Sequence, residues 1–428
     1  MGVALVGVAV GVDPAGWLPF AEVKWWWALT VGALAAAAIA AGGRWARPTR
    51  ADLLWPLLVG WLALAAWTGD AGWRGWTGTG ERHLGVLAFG VFGLAWLIGR
   101  TLGSDDRSWA VVLRWATAAG IASGSWAVAE LAGAPLVEVV GTGDRLTGSF
   151  GSPAYVGGAA LLFAAAGGLV LRHDRSWRWP ARVCVALSVM QVVGSQSRAA
   201  LAGLAVAGIW WVATADGRRR WVAFVGASVV ALLAVASMGD RLTSELDEGV
   251  ESRAAEWAVG VRALADSPVL GHGPEGYVLV AHRHLDEGYV QRYGREVVTD
   301  RAHQGLLDVA LTGGVVGALL WAALVAVAIL AARPTQSGWP VMLLVGHVVA
   351  QQGLFVVAEL DLVWWLLVGG AAGAAGGSAR SFHPSMAVRR VATTSFVAFA
   401  AVALWFGVLS VRADRYADDA LVGQAPGI

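Results

Sequence analysis

Apolar runs recur along the whole chain, too long and too frequent for any soluble core. A helix that crosses the hydrocarbon layer needs about 17–25 such residues. Runs near 25–42, 52–68, 84–99, 109–132, 154–171, 181–194, 199–214, 221–238, 305–332, 339–358, 362–377 and 391–411 meet or approach that length, and residues 3–12 add a short extra candidate. Backbone polar groups in lipid must be satisfied within each segment, so these runs read as helices. Only 14% of the 428 residues are charged, against about a quarter in ordinary soluble domains. The pattern predicts an all-α polytopic membrane protein with about 12 transmembrane helices. It excludes a disordered chain, a disulfide scaffold and a soluble enzyme on a single anchor.

Arginine orients the helices. Arg44, Arg47 and Arg50 share one loop, and Arg100 with Arg107 follow in the next but one. Arg172, Arg175, Arg178 and Arg182 come next, then Arg218 to Arg220, Arg333, and finally Arg380, Arg389 and Arg390. Basic residues in short loops mark the cytoplasmic side, and the clusters fall in every second loop. An even number of crossings must then separate 172–182 from 218–220. The chain is therefore expected to turn at Ser195–Arg198, with Arg198 at the outer face of the plasma (inner) membrane.

The remaining polar segments fall outside. The expected organisation is N-terminal helices over 1–238, a large extracytoplasmic loop over 239–304, C-terminal helices over 305–411 and a short extracytoplasmic tail over 412–428. A loop that long usually carries function or structure of its own. Within it, Glu251 to Leu264 is expected to be helical, with Ala254, Trp257, Val261 and Leu264 on one stripe. Ala413 to Leu421 forms a possible short helix in the tail. Cys184 is the single cysteine, which removes intramolecular disulfides and cysteine metal sites. Lys24 is the only lysine, and a net charge of +1 points to no class of partner. Met1 to Val12 lacks the basic start of a cleavable signal peptide.

Four polar segments stand out: Arg145-Leu-Thr-Gly-Ser-Phe-Gly-Ser-Pro153-Ala-Tyr155; Ser195-Gln-Ser-Arg198; Arg253-Ala-Ala-Glu-Trp257 followed by Asp266-Ser-Pro268-Val-Leu-Gly271-His-Gly273; and Ala302-His303-Gln304 leading to Gly313-Gly314-Val-Val-Gly317. In this order, around one large loop, they resemble the O-antigen ligase and polymerase superfamily of membrane glycosyltransferases. The likeness covers roughly 145–317 by motif and the rest by topology. Ser152, Ala154 and Gln304 stand where that family carries asparagine, and Thr312 where an acid is common.

The resemblance implies an inverting, metal-independent enzyme that needs no cofactor. It would move a glycan from a polyprenyl diphosphate donor to an acceptor hydroxyl at the outer face, as a ligase or polymerase of a surface polysaccharide. The acceptor would be a glycan, lipid or protein; membrane lipids are the other partners, and no nucleic acid is expected. Arg198, Arg253 and Arg145 would bind the donor diphosphate, and His303 would be catalytic.

The residue chemistry agrees with those roles. Guanidinium binds phosphate oxygens bidentately and keeps its charge, and Arg198 lies where a lipid tail enters the bilayer. Arginine at a span end also meets ordinary headgroups, so position alone leaves both roles open. Thr299 or Asp300 is expected to cap the following helix, which puts His303 in its first turn. There the helix dipole and Arg301 favour the uncharged imidazole that a general base requires. His272, His282 and His284 read as surface residues. Glu359-Leu360-Asp361 has the spacing of a metal-binding carboxylate pair, but reads more simply as a polar turn. A transporter or flippase of a lipid-linked glycan or other envelope precursor is the alternative class. It would use ionisable groups within spans, for which Glu130, Asp308 and the His347/Gln351/Gln352 face are the candidates.

Overall fold

The computed structural model describes residues 1–139, 142–238, 241–297, 299–333, 338–376 and 381–422. Its main helices are α1 (Gly2–Val10), α2 (Ala21–Gly42), α3 (Leu54–Thr68), α4 (Val86–Gly103), α5 (Asp106–Leu131), α6 (Pro153–His173) and α7 (Arg178–Gly194). They continue with α8 (Arg198–Thr214), α9 (Gly217–Met238), α10 (Arg241–Asp266), α11 (Gly305–Ala331), α12 (Trp339–Gln351), α13 (Ala358–Gly376) and α14 (Met386–Val422). The apolar runs named above fall mainly on helices, with 339–358 divided between two, and the protein is an all-α polytopic membrane protein. Among the described residues, eight helices are long and apolar enough to cross a bilayer. The four expected spans outside that set are α5, which is long but less apolar, and α7, α8 and α12, which have 17, 17 and 13 residues. Helix α1 has nine residues and packs its buried Leu5 and Val8 into the common core.

Small residues bring the inner helices together. A Cβ added at Gly103 on α4 would stand 2.0 Å from the Gly370 carbonyl of α13. Such close backbone approach is how helices pack where lipid offers no hydrophobic drive between them. Helices α6 and α13 form the middle of the bundle, with Phe163, Trp364 and Trp365 fully buried.

Successive loops sort to opposite ends of the bundle. At the far end of α2, Arg44 pairs with Asp105 at 3.3 Å, and Arg100 pairs with Asp52 at 2.5 Å. A two-stranded antiparallel ribbon also sits there, pairing Trp45 with Phe382 and Ala46 with Ser381. The start of α2, the α3–α4, α5–α6 and α12–α13 connections, and the long segment before α11 meet at the other end. The end of α14 reaches this second group, where Arg415 holds Asp13 through contacts of 2.7 and 2.9 Å.

Several local expectations need correction. The chain does break at Ser195–Ser197, but the 339–358 run is two elements: α12 stops at Gln351, and α13 starts at Ala358. The expected tail helix is the continuation of α14, while 423–428 lies outside the described residues. On α10 the predicted stripe faces the wrong way, since Trp257 is 38% and Val261 57% exposed. Val259 and Ala263 form the buried face instead. With Gly260, they let α10 approach Leu307 and Leu311 of α11 more closely than a face led by tryptophan would allow.

Candidate active site

The Arg145–Tyr155 segment is shaped by an acid at the end of α5. Glu130 accepts hydrogen bonds from Thr147 N at 2.8 Å, Thr147 Oγ1 at 3.0 Å and Gly148 N at 2.7 Å. Glu130, a candidate transport group by sequence, is thus committed to holding this loop. Arg145 Nε donates to the Ser195 carbonyl at 3.2 Å, which ties the first motif to the turn before α8. Ser197 caps α8, and Arg198 follows as its first residue. Arg198 is exposed, and its guanidinium has no ion-pair or hydrogen-bond partner among the described residues.

The third and fourth motifs interlock. Helix α11 is interrupted at Gly313 and Gly314, and the Pro268–Gly273 segment docks into the break. His272 N donates to Leu311 O at 2.7 Å, and Val315 N to Pro268 O at 2.8 Å. Gly314 has φ +67, and a Cβ there would lie 1.9 Å from Val269 O; Gly271 has φ +66, and a Cβ there would lie 2.6 Å from Gly314 N. Both positions need a residue without a side chain. His272 Nε2 lies 2.8 Å from Ala263 O and ties the segment to α10, and His284, further along the loop, lies 3.5 Å from Asp266 at the end of that helix.

His303 is not where the cap signals placed it. Gln304 is the N-cap of α11, its side chain accepting from Leu307 N, and the helix begins at Gly305. His303 precedes the cap with φ +50. Asp300 was available as a cap, but it accepts from Arg82 Nε at 2.6 Å. Arg301 does not face His303 as a free charge either. It is buried between Glu275 at 2.9 Å and Asp308 at 3.1 Å, which also accounts for Asp308. The charge beside the imidazole is negative: Glu256 Oε2 lies 3.3 Å from His303 Nδ1. The two are in ion-pair range without the alignment of a hydrogen bond. The same oxygen accepts from Arg253 NH1 at 2.6 Å. Burial alone would raise the Glu256 carboxyl, but His303 and Arg253 outweigh it and hold the group below its ordinary value.

Three of the four predicted residues converge. Arg145, Arg253 and His303 line one cavity of about 520 Å³ at the helix ends, together with Arg82, Tyr155 and the aromatic wall of Phe20 and Phe355. Arg198 is outside that lining. Among the described residues no cluster of three or more His, Cys, Asp or Glu side chains has the arrangement to hold a metal. Asp361 is occupied by Gln351 at 2.8 and 2.9 Å and by Val357 N at 2.9 Å. His347 joins the same buried network through Gln351.

Residues 183–322 match a family model described as O-antigen ligase. A stretch of 137 residues, 32% of this chain, is 28% identical to a Pseudomonas aeruginosa protein described as O-antigen ligase, and covers 31% of that protein. Both matches support the O-antigen ligase family. The stretch matched by the family model contains Arg198, Arg253, His303 and the lock between Gly271 and Gly314, while Arg145 precedes it. The curated O-antigen ligase is thus spanned over about a third of its length.

Sequence reasoning missed Glu256, although it lies inside a quoted motif, and Arg82. Arg82 NH1 donates to Tyr155 OH at 2.6 Å, and the guanidinium stands 4.9 Å over the Phe355 ring. The signal for Arg82 was an arginine outside the alternating clusters, in a loop on the opposite side.

Proposed function

We propose that the chain is an outer-face, inverting glycosyltransferase that moves a glycan from a polyprenyl diphosphate to an acceptor hydroxyl. The observation that carries this reading is the convergence of Arg145, Arg253 and His303 on one cavity. The cationic walls receive the diphosphate, and Arg253 stabilises the charge that grows on it as the sugar–oxygen bond breaks. Arg198, exposed at the start of α8, meets the phosphates from the rim where the lipid tail enters. His303 takes the proton of the acceptor hydroxyl as its oxygen attacks the sugar carbon opposite the leaving diphosphate. Glu256 faces Nδ1 and selects the ring form that leaves Nε2 as the proton acceptor. Arginine supplies the positive charge on the phosphates, and no metal enters the scheme.

The test is transfer by purified protein supplied with lipid-linked glycan and acceptor. His303→Gln is expected to bind undecaprenyl diphosphate normally and to lose about 10²–10⁴-fold in turnover. Arg253→Lys and Arg198→Lys keep the charge but lose the planar fork, so both bind the diphosphate more weakly. Chelator leaves the wild-type rate unchanged. Substantial turnover by His303→Gln, or a rate abolished by chelator and restored by a divalent ion, overturns the scheme.

A further inference from the structure

Beside the main cavity lies a smaller one of about 40 Å³, lined by Lys24, Glu359, Tyr155, Arg82 and Phe150. The two share the walls formed by Phe20, Arg82, Phe150, Tyr155 and Phe355. Its two charged ends belong to the helix bundle: Lys24 is in the first turn of α2 and Glu359 in the first turn of α13. They are 2% and 7% exposed. Ionisable groups held this deep in a membrane protein are costly, and they persist where they face a partner or a polar cavity.

The protein leaves part of the hydrogen-bonding capacity of both groups unfilled. Lys24 Nζ donates to Gly11 O at 2.6 Å and lies 4.8 Å from the Phe150 ring centroid. An ammonium has three donors, so two remain after the Gly11 bond. Glu359 Oε1 is buried with no hydrogen-bond partner. The two side chains are not in ion-pair contact with each other, so donors of Lys24 and the Oε1 acceptor of Glu359 are left over beside one small cavity.

We propose that Lys24 and Glu359 form a recognition subsite for one hydroxyl or hydroxymethyl group of the sugar next to the diphosphate. This rests on the glycosyl-transfer reading above. A hydroxyl is the group that answers both ends at once, donating its proton to Glu359 Oε1 and accepting from Lys24 Nζ. A phosphate fits poorly, because the Glu359 carboxylate repels an anion brought against it. The diphosphate therefore stays in the larger cavity with Arg145 and Arg253, and the neighbouring sugar reaches past Tyr155 into the smaller one. A site built to hydrogen-bond a hydroxyl rejects a sugar lacking it far better than an apolar pocket does, because the buried groups are then left unpaired.

The experiment uses purified full-length protein and two probes, undecaprenyl diphosphate without sugar and the lipid-linked glycan extracted from cells lacking the protein. Glu359→Gln and Lys24→Met are expected to raise the KM for the lipid-linked glycan about tenfold or more, the loss of one hydrogen bond to a charged group. Binding of undecaprenyl diphosphate stays at the wild-type level. Lys24→Met with Glu359→Leu removes both charges together, which buried pairs tolerate better than loss of one partner, and gives the same split between probes. Unchanged KM in folded variants overturns the subsite, as does a parallel loss of undecaprenyl diphosphate binding, which would make the pocket a phosphate site. A wild-type protein that transfers nothing from the lipid-linked glycan defeats the parent reading instead, before any variant is compared.

Discussion

Glu256 Oε2 lies 3.3 Å from His303 Nδ1, and the two residues come from separate elements, helix α10 and the segment before α11. The acid is partly buried, and Arg253 shares the same oxygen. In the transfer scheme proposed above, this carboxylate would hold the ring and its proton in place, the role an orienting acid plays for a histidine base.

Glu256→Gln should therefore act through His303. Turnover is expected to fall by up to about 10⁴-fold, the cost of turning a triad's orienting acid into its amide. Binding of undecaprenyl diphosphate should change little. The discriminating measurement is a double-mutant cycle. In a His303→Ala background, the further change Glu256→Gln should cost almost nothing, since there is no ring left to orient. Full additivity of the two losses would show that Glu256 works independently of His303.

How much of this was legible in the sequence follows from the range of each interaction. The spans were readable because hydrophobic length is a local property, and the turn at Ser195–Ser197 followed from counting crossings between arginine clusters. Arg145, Arg253 and His303 were visible through ordered motifs, and the structure brings them to one cavity. The pairings that shape the site were not visible. Asp300 had the chemistry of a helix cap, but Arg82, 218 positions earlier in the chain, takes it first. The stripe on α10 failed because helical period identifies a face, not its neighbour: α11 accepts the small residues Gly260 and Ala263 and leaves Trp257 outward. Lys24 and Glu359 stand far apart in the chain, and only folding brings them to the same cavity.

His83 gives the pH dependence of stability a definite sign. It stacks on Trp25 with ring centroids 5.4 Å apart and is 4% exposed. Burial pushes its imidazole down to about 3. The unfolded chain takes up that proton near pH 6.5 and the folded protein only near 3, so the contribution is complete above pH 6.5. It is lost progressively as the pH falls between those values, at up to about 1.4 kcal/mol per pH unit. Thermal unfolding in detergent should show a falling Tm below pH 6.5. His83→Phe, which keeps a ring against Trp25, should flatten that acid limb. An acid limb identical in His83→Phe would assign the loss to other groups.

The sidedness of the cavity can be tested without any assay of activity. The arginine clusters lie at the opposite helix ends from Arg145 and His303, and basic residues in short loops stay in the cytoplasm, so the cavity is expected to face outward. Single cysteines report this directly, because Cys184 is buried and out of reach. Trp73, 68% exposed, lies in the α3–α4 connection, and His282 is exposed in the segment between α10 and α11. Gly271 is a poor reporter, since any side chain there meets Gly314 N. Trp73→Cys and His282→Cys should react with an impermeant thiol reagent in intact cells. Arg219→Cys, at the start of α9 and exposed, should react only after the membrane is opened. The reverse pattern would turn the cavity toward the cytoplasm, where an outer-face transfer has no place, and would favour a carrier of lipid-linked precursors instead.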